Sequence, residues 1–165
     1  MNGPDLITQL GYLCLGSRLK RLGEGMQAGV AQHLAARELA VLPAQLPLLW
    51  ALGEADALTI GALGERLGIS QPGVSRAVAV LEAEGLVTVS GEARDKRRRV
   101  VAISPAGAAL MADLKATLFP AVEDAVGALC DATGADLLAA IGAIEAELDR
   151  QSLAARIADA GEGRA

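Results

Sequence analysis

The sequence predicts a mainly α-helical chain that carries one small β-hairpin. Three observations lead there. Apolar residues recur at helical spacing through most of the 165 positions. One stretch, residues 86–103, is instead rich in β-branched residues on both sides of a break. The break itself is Gly91-Glu92-Ala93-Arg94-Asp95-Lys96-Arg97-Arg98-Arg99, whose charge places it at a solvated tip.

Residues 5–37 read as one helix, with Leu6, Leu10, Leu13 and Ser17 on a face continued by Val30 and Leu34. Five glycines (Gly11, Gly16, Gly23, Gly25, Gly29) weaken it, each by roughly 1 kcal/mol relative to alanine. Small residues let helices approach closely, so the expected compensation is packing against a second subunit. Residues 43–52 read as the next helix. Leu42 offers no capping side chain, and Pro47, about one turn inside, is expected to remove a hydrogen bond or kink the helix. Trp50, the only tryptophan, is expected to anchor the core.

Thr59 opens a third helix with Ile60, Leu63 and Leu67 on one face, and Gly68 and Ile69 end it. Ser70 is positioned to cap the fourth helix by accepting a backbone N–H, with Pro72 in its first turn. Val74, Val78 and Leu81 form the inward stripe, which leaves Gln71, Pro72, Ser75, Arg76 and Ala79 facing outward. Gly85 supplies the stop. Leu86, Val87 and Val89 then pair across the charged tip with Val100, Val101 and Ile103, and Ser104-Pro105 starts another helix. Helix, turn, helix and basic hairpin make the layout of a winged helix-turn-helix, whose second helix lies in a DNA major groove while the hairpin flanks it.

Beyond Ser104 the chain reads as helical to its end. Leu110, Leu114 and Leu118 share a face, and Pro120 is expected to bend the helix around Phe119. Thr133 and Asp136 read as a capping box. Leu137, Ile141, Ile144 and Leu148 follow at spacings of 4, 3 and 4, a seam for another helix. Residues 158–165, small and polar, are expected to fray.

At Val74-Ser75-Arg76, Leu81-Glu82, Gly85-Leu86-Val87, Asp95-Lys96-Arg97 and Ile103-Ser104-Pro105-Ala106-Gly107 the chain resembles the MarR family of bacterial transcription regulators. The likeness extends more loosely to Leu42-Pro43-Ala44-Gln45 and Leu48-Leu49. It departs at Glu92, where the family has Asp, at Val89, where it often has Arg, and at Leu42, where Thr is common. The resemblance implies a winged helix-turn-helix over residues 38–107, flanked by N- and C-terminal dimerisation helices over 1–37 and 108–165. It implies a homodimer on a pseudo-palindromic operator, expected to be a repressor. Ser70, Gln71, Pro72, Ser75 and Arg76 would contact DNA from the recognition helix, with Arg94, Lys96, Arg97, Arg98 and Arg99 on the wing. Gln suits adenine, Arg suits guanine, and Ser suits a base or a phosphate. Arg94 is expected to reach the minor groove, and Arg97 to pair with Asp95 or touch the backbone.

Family members often bind small aromatic effectors, and Tyr12, Arg18, His33 and Trp50 are the candidates by position. A variant of the family senses oxidants through a first-helix cysteine. Cys14 stands there with Cys130 as a resolving partner, against the plainer reading of two small hydrophobes. Two cysteines so far apart imply neither a disulfide scaffold nor a zinc site, and no cofactor is expected.

Composition sets the outer bounds. With 52% hydrophobic residues and one each of Trp, Tyr and Phe, the core must be built from Leu, Val, Ile and Ala. No apolar run is long enough to span a bilayer, so a cytoplasmic protein is expected. The net charge of −5 opposes nucleic acid, but its distribution does not. Residues 60–104 hold seven basic side chains (Arg66, Arg76, Arg94, Lys96, Arg97, Arg98, Arg99) and five acidic ones, a balance of +2 that leaves −7 elsewhere. No phosphate-binding loop, paired histidines or nucleophile–histidine motif points to an enzyme. The rival reading is a winged-helix module that binds another protein through its acidic helical surface. A steep salt dependence of DNA binding separates the two.

Overall fold

The structure is a computed structural model and describes residues 5–91 and 99–162. The charged tip, with Arg94, Asp95, Lys96, Arg97 and Arg98, lies outside the described residues, as do residues 163–165. The chain divides into two compact units, Met1–Thr117 and Leu118–Ala165.

The first helix is broken, where continuity over residues 5–37 was expected. Asp5 caps a single turn, α1 (Leu6–Gln9), by accepting the Thr8 N–H at 3.1 Å. That backbone bond, with the Arg21 guanidinium second, holds the Asp5 carboxyl below its usual pKa. Gly11 then takes φ +54°, a left-handed conformation that glycine alone adopts freely, and so interrupts the helix. A 3-10 turn (Gly11–Cys14) leads into α2 (Leu15–Ala36). Gly16, Gly23, Gly25 and Gly29 lie within α2, and no atom comes within 4 Å of the place a Cβ would take. Gly16 and Gly23 lie on one side of α2 and Gly25 and Gly29 on the other, and all four positions are open within the chain.

Pro47 produces no kink. Pro43–Gln45 form a 3-10 turn and α3 (Leu46–Gly53) starts afresh behind it, so Pro47 stands in a first turn where its missing N–H is harmless. The cap absent at Leu42 is supplied in reverse. Buried Gln45 accepts the Leu42 N–H through Oε1 at 2.8 Å.

The winged module follows as β1 (Leu58–Thr59), α4 (Ile60–Leu67), α5 (Gln71–Ala83), β2 (Val87–Ser90) and β3 (Val100–Ile103). The strands form an antiparallel sheet in the order β1-β3-β2, with Leu58 and Val89 both opposite Val101. Strand β1 was not foreseen, because two residues carry no alternation to read. The core is aliphatic as composition required: Leu48, Leu49 and Leu52 of α3 meet Leu63, Val74, Val78, Leu81 and Val101, all at most 1% exposed.

Helix α6 (Pro105–Asp131) starts at a joint with α5 and β2. The Ser104 hydroxyl accepts the Gly107 N–H at 3.0 Å and donates to the Gly85 carbonyl at 2.6 Å, while the Ser104 N–H donates to the Leu86 carbonyl at 3.0 Å. Gly107 sits so close that a Cβ there would lie 2.1 Å from the Leu86 oxygen. Arg37, at the end of α2, pairs with Asp113 and donates to Thr117 on α6.

In the second unit α6 stays helical through Pro120, and α7 (Leu137–Arg150) and α8 (Leu153–Glu162) follow. Asp136 caps α7 alone, accepting the Ala139 N–H at 2.9 Å. The expected box with Thr133 does not form, because that hydroxyl donates to the Cys130 carbonyl and accepts the Ala135 N–H. Residues expected to fray from Ala158 are helical as far as Glu162. Ile141, Ile144 and Leu148 of the α7 seam are exposed within the chain.

Two stability outcomes follow. Gly107→Ala forces a methyl into the Leu86 carbonyl and should destabilise the chain by about 3 kcal/mol in urea unfolding. Pro47→Ala removes no kink and should change stability by no more than about 1 kcal/mol.

Candidate nucleic-acid interface

Three local devices aim α5. Thr59 caps α4 by accepting the Ala62 N–H at 3.1 Å. Gly68, at φ +66°, ends α4, and the Ile69 N–H returns to the Gly64 carbonyl at 3.0 Å. This turn is tight enough that a Cβ on Gly64 would lie 2.8 Å from the Ile69 oxygen. Ser70 has the extended backbone of an N-cap, but its hydroxyl accepts no N–H of α5, contrary to expectation. The Ser70 side chain therefore leaves the N–H groups of the first turn of α5 uncapped. Gly85, at φ +71°, ends the turn behind α5, and the Leu86 N–H returns to the Leu81 carbonyl.

Val74, Val78 and Leu81 are at most 1% exposed and fix which side of α5 faces in. On the opposite side Pro72, Arg76, Ala79, Val80 and Ala83 are exposed, and Ser75 is half-buried at the edge. Val80 and Ala83 belong to this face although the sequence reading did not name them. Counting one helical period from Arg76 would have found them. Gln71 is exposed, yet its amide nitrogen lies 3.4 Å from the place a Cβ on Gly61 would take, along α4.

Charge is arranged unevenly across the module. Arg66 pairs with Glu54 at 2.6 Å, and Arg99 pairs with Glu82 at 3.6 Å. Among the described residues Arg76 has no carboxylate partner. It is a cation held at the middle of the outward face of α5, with its charge left for an anion or a base edge.

Trp50 is not the core anchor expected of it. It is 39% exposed, because Leu48, Leu49 and Leu52 already fill the inward side of α3. Its indole N–H donates to Glu54 Oε1 at 2.6 Å, and Lys115 Nζ stands 4.1 Å from the ring centroid. Glu54 thus joins Trp50 of α3 to Arg66 of α4, while Lys115 brings in α6. Glu54 stands four residues after Trp50, a helical-neighbour spacing that sequence reasoning passed over, whereas Lys115 meets Trp50 only in the fold.

Tyr12, Arg18 and His33 are exposed on the N-terminal helical segment. Cys14 and Cys130 are free thiols, each half-buried. In the second unit Phe119, Val122, Val126, Cys130, Leu137 and Leu138 line a mainly apolar cavity of about 840 Å³, which none of the four effector candidates lines. Among the described residues no group of three or more metal-ligating side chains occurs, and no helix is long and apolar enough to cross a membrane.

Known proteins match this architecture. The sequence model of the MarR family matches residues 41–98. Among solved structures, the chain is similar to a mutant MarR from E. coli complexed with operator DNA, at 19% identity and TM-score 0.65 over 88% of this chain and 99% of that one. It is similar to the MarR family transcriptional regulator SPO1453 from Silicibacter pomeroyi, at 28% identity and TM-score 0.59 over 88% and 98%. A third is BpsR of Bordetella bronchiseptica, whose DNA binding is regulated by 6-hydroxynicotinic acid, at 25% identity and TM-score 0.52 over 74% and 94%. No curated protein matches the chain in sequence. Over residues 41–98, which hold most of the winged module, the chain therefore matches the MarR family in sequence, and its fold is that of solved MarR-family regulators.

Proposed function

We propose that the chain is a DNA-binding transcriptional regulator, a repressor that acts as a homodimer on a pseudo-palindromic operator. One observation carries this: the family's winged module presents Arg76, without a carboxylate partner among the described residues, at the centre of the exposed face of α5. Residues 38–107 would form the DNA-binding region, and 1–37 with 108–165 the dimerisation region. The exposed apolar side chains of the terminal segments, Leu6 and Leu13 at one end and Ile144 and Leu148 at the other, support pairing with a second copy. A twofold dimer sets two recognition helices about one DNA turn apart.

Within the site, Arg76 reads a base edge, Pro72 approaches a neighbouring base, and Ser70, Gln71 and Ser75 approach the phosphate backbone from the start of α5. Arg94, Lys96, Arg97 and Arg98 extend the footprint from the wing. Arg99 reaches a phosphate only by exchanging Glu82 for it. The chain works as a binder, with no catalytic role and no cofactor, in the cytoplasm where operators lie. The ligand control named for BpsR supports release by a small aromatic acid here, with Tyr12, Arg18, His33 and Trp50 as candidate contacts. At Trp50 such a ligand would compete with Lys115 for the ring face. Oxidation of half-buried Cys14 is the alternative control, read by its rate with dilute peroxide against free cysteine.

Affinity for host DNA fragments should fall steeply with salt, by about a thousandfold between 50 and 200 mM for six or more phosphate contacts. A flat profile with no enriched fragment would transfer the fold to a protein partner. Arg94→Ala should weaken binding and lower the salt slope by about one, and unchanged affinity and slope would remove the wing from the footprint. Sedimentation at micromolar protein should give a dimer, and a monomer would contradict the operator symmetry.

A further inference from the structure

We propose that α5 reads each half-site with one hydrogen-bonding side chain, Arg76, set in an apolar face, so that the half-site holds one guanine flanked by thymines recognised through their 5-methyl groups. The proposal rests on the DNA-binding reading above and specifies its chemistry.

At 3.6 residues per turn, Pro72, Arg76, Ala79, Val80 and Ala83 fall within an arc of about 100°, and all five are exposed. Val74, Val78 and Leu81, buried at most 1% exposed, fix the opposite side as the inward one, so the arc cannot rotate without emptying the core. Four of the five carry no donor or acceptor on the side chain. Pro72, Ala79, Val80 and Ala83 can reward only an apolar neighbour, and the thymine methyl is the one apolar group on the major-groove edge. A cytosine in its place would set an unpaired amino group against Val80, which is 45% exposed and ready for contact.

The polar alternatives on α5 stand aside. Gln71, suited to adenine, runs along α4 beside Gly61. Ser75 is half-buried and about 100° round the helix from Arg76. Arg76 is therefore the donor at the centre of the face, and its geometry suits the O6 and N7 of guanine. With a rise of about 1.5 Å per residue, Pro72 and Val80 lie about 6 Å to either side of it along the axis, or roughly two base steps. That spacing places the methyl contacts on both flanks of the guanine.

The test is selection from random duplexes by the full-length protein, then atom-by-atom substitution in the enriched site. Replacing a flanking thymine with uracil removes one methyl and should weaken binding about fourfold. Replacing the guanine with 7-deazaguanine should weaken it about five- to a hundredfold and should add little to Arg76→Ala. Val80→Ala, at an exposed position, should leave the fold intact and abolish the uracil effect at one thymine. Sequence-specific binding indifferent to uracil, or sensitive instead to adenine N7 and lost in Gln71→Ala, overturns the proposal while leaving the regulator standing. No enrichment and no salt dependence would overturn the DNA-binding reading itself.

Discussion

The joint formed by Gly85, Leu86, Ser104 and Gly107 is the constraint on which the winged module depends. One hydroxyl caps α6 and holds the turn behind α5, while the Ser104 amide holds the Leu86 carbonyl at the root of β2. Three elements with different jobs, a recognition helix, a wing strand and a long helix, thus share a few atoms. Gly107 makes this possible by leaving out the one carbon that would collide with Leu86. A hydrogen bond contributes only about 1 kcal/mol by itself, but buried bonds that share partners rise or fall together. The first turn of α6 is thereby tied to the turn that ends α5. Arg37 on Asp113 and Lys115 on Trp50 extend the same helix's hold to α2 and α3.

The face of α5 follows from what the core demands. Three aliphatic side chains turned inward decide which five turn outward, and the tight turn at Gly64 and Gly68 leaves little freedom in the angle between α4 and α5. Electrostatics then act on a surface already fixed by packing. Arg66 and Arg99 are neutralised by Glu54 and Glu82, so the local positive balance read from sequence is concentrated on fewer side chains than the count of arginines implies.

Much of this was legible in the sequence, and the reason is locality. Gly68, Gly85, Thr59 and Ser104-Pro105 act within a few residues of themselves, so their signals survive without knowledge of the fold. The stripes of α4 and α5 were legible because their period is internal. What failed depended on choices made elsewhere. Pro47 implies a kink only if residues 43–52 form one helix, and they form a 3-10 turn followed by α3. Gly11 reads as a weakness within a helix, although a glycine six residues after the Asp5 cap also offers a place to stop. Size alone assigns Trp50 to the core, whereas its N–H finds Glu54 four residues on, and its ring face finds Lys115, a remote residue that no local pattern links to it. Ser70 shows the limit of capping rules, since the right residue in the right backbone conformation makes no capping bond.

The most direct test of the account is guanine-N7 methylation interference on an enriched operator, with the native protein and with Arg76→Ala. Interference is expected at one guanine in each half-site for the native protein, and should disappear in the variant, which still holds DNA weakly through phosphates. Interference that persists unchanged in Arg76→Ala, or that never appears on a tightly bound site, would contradict it.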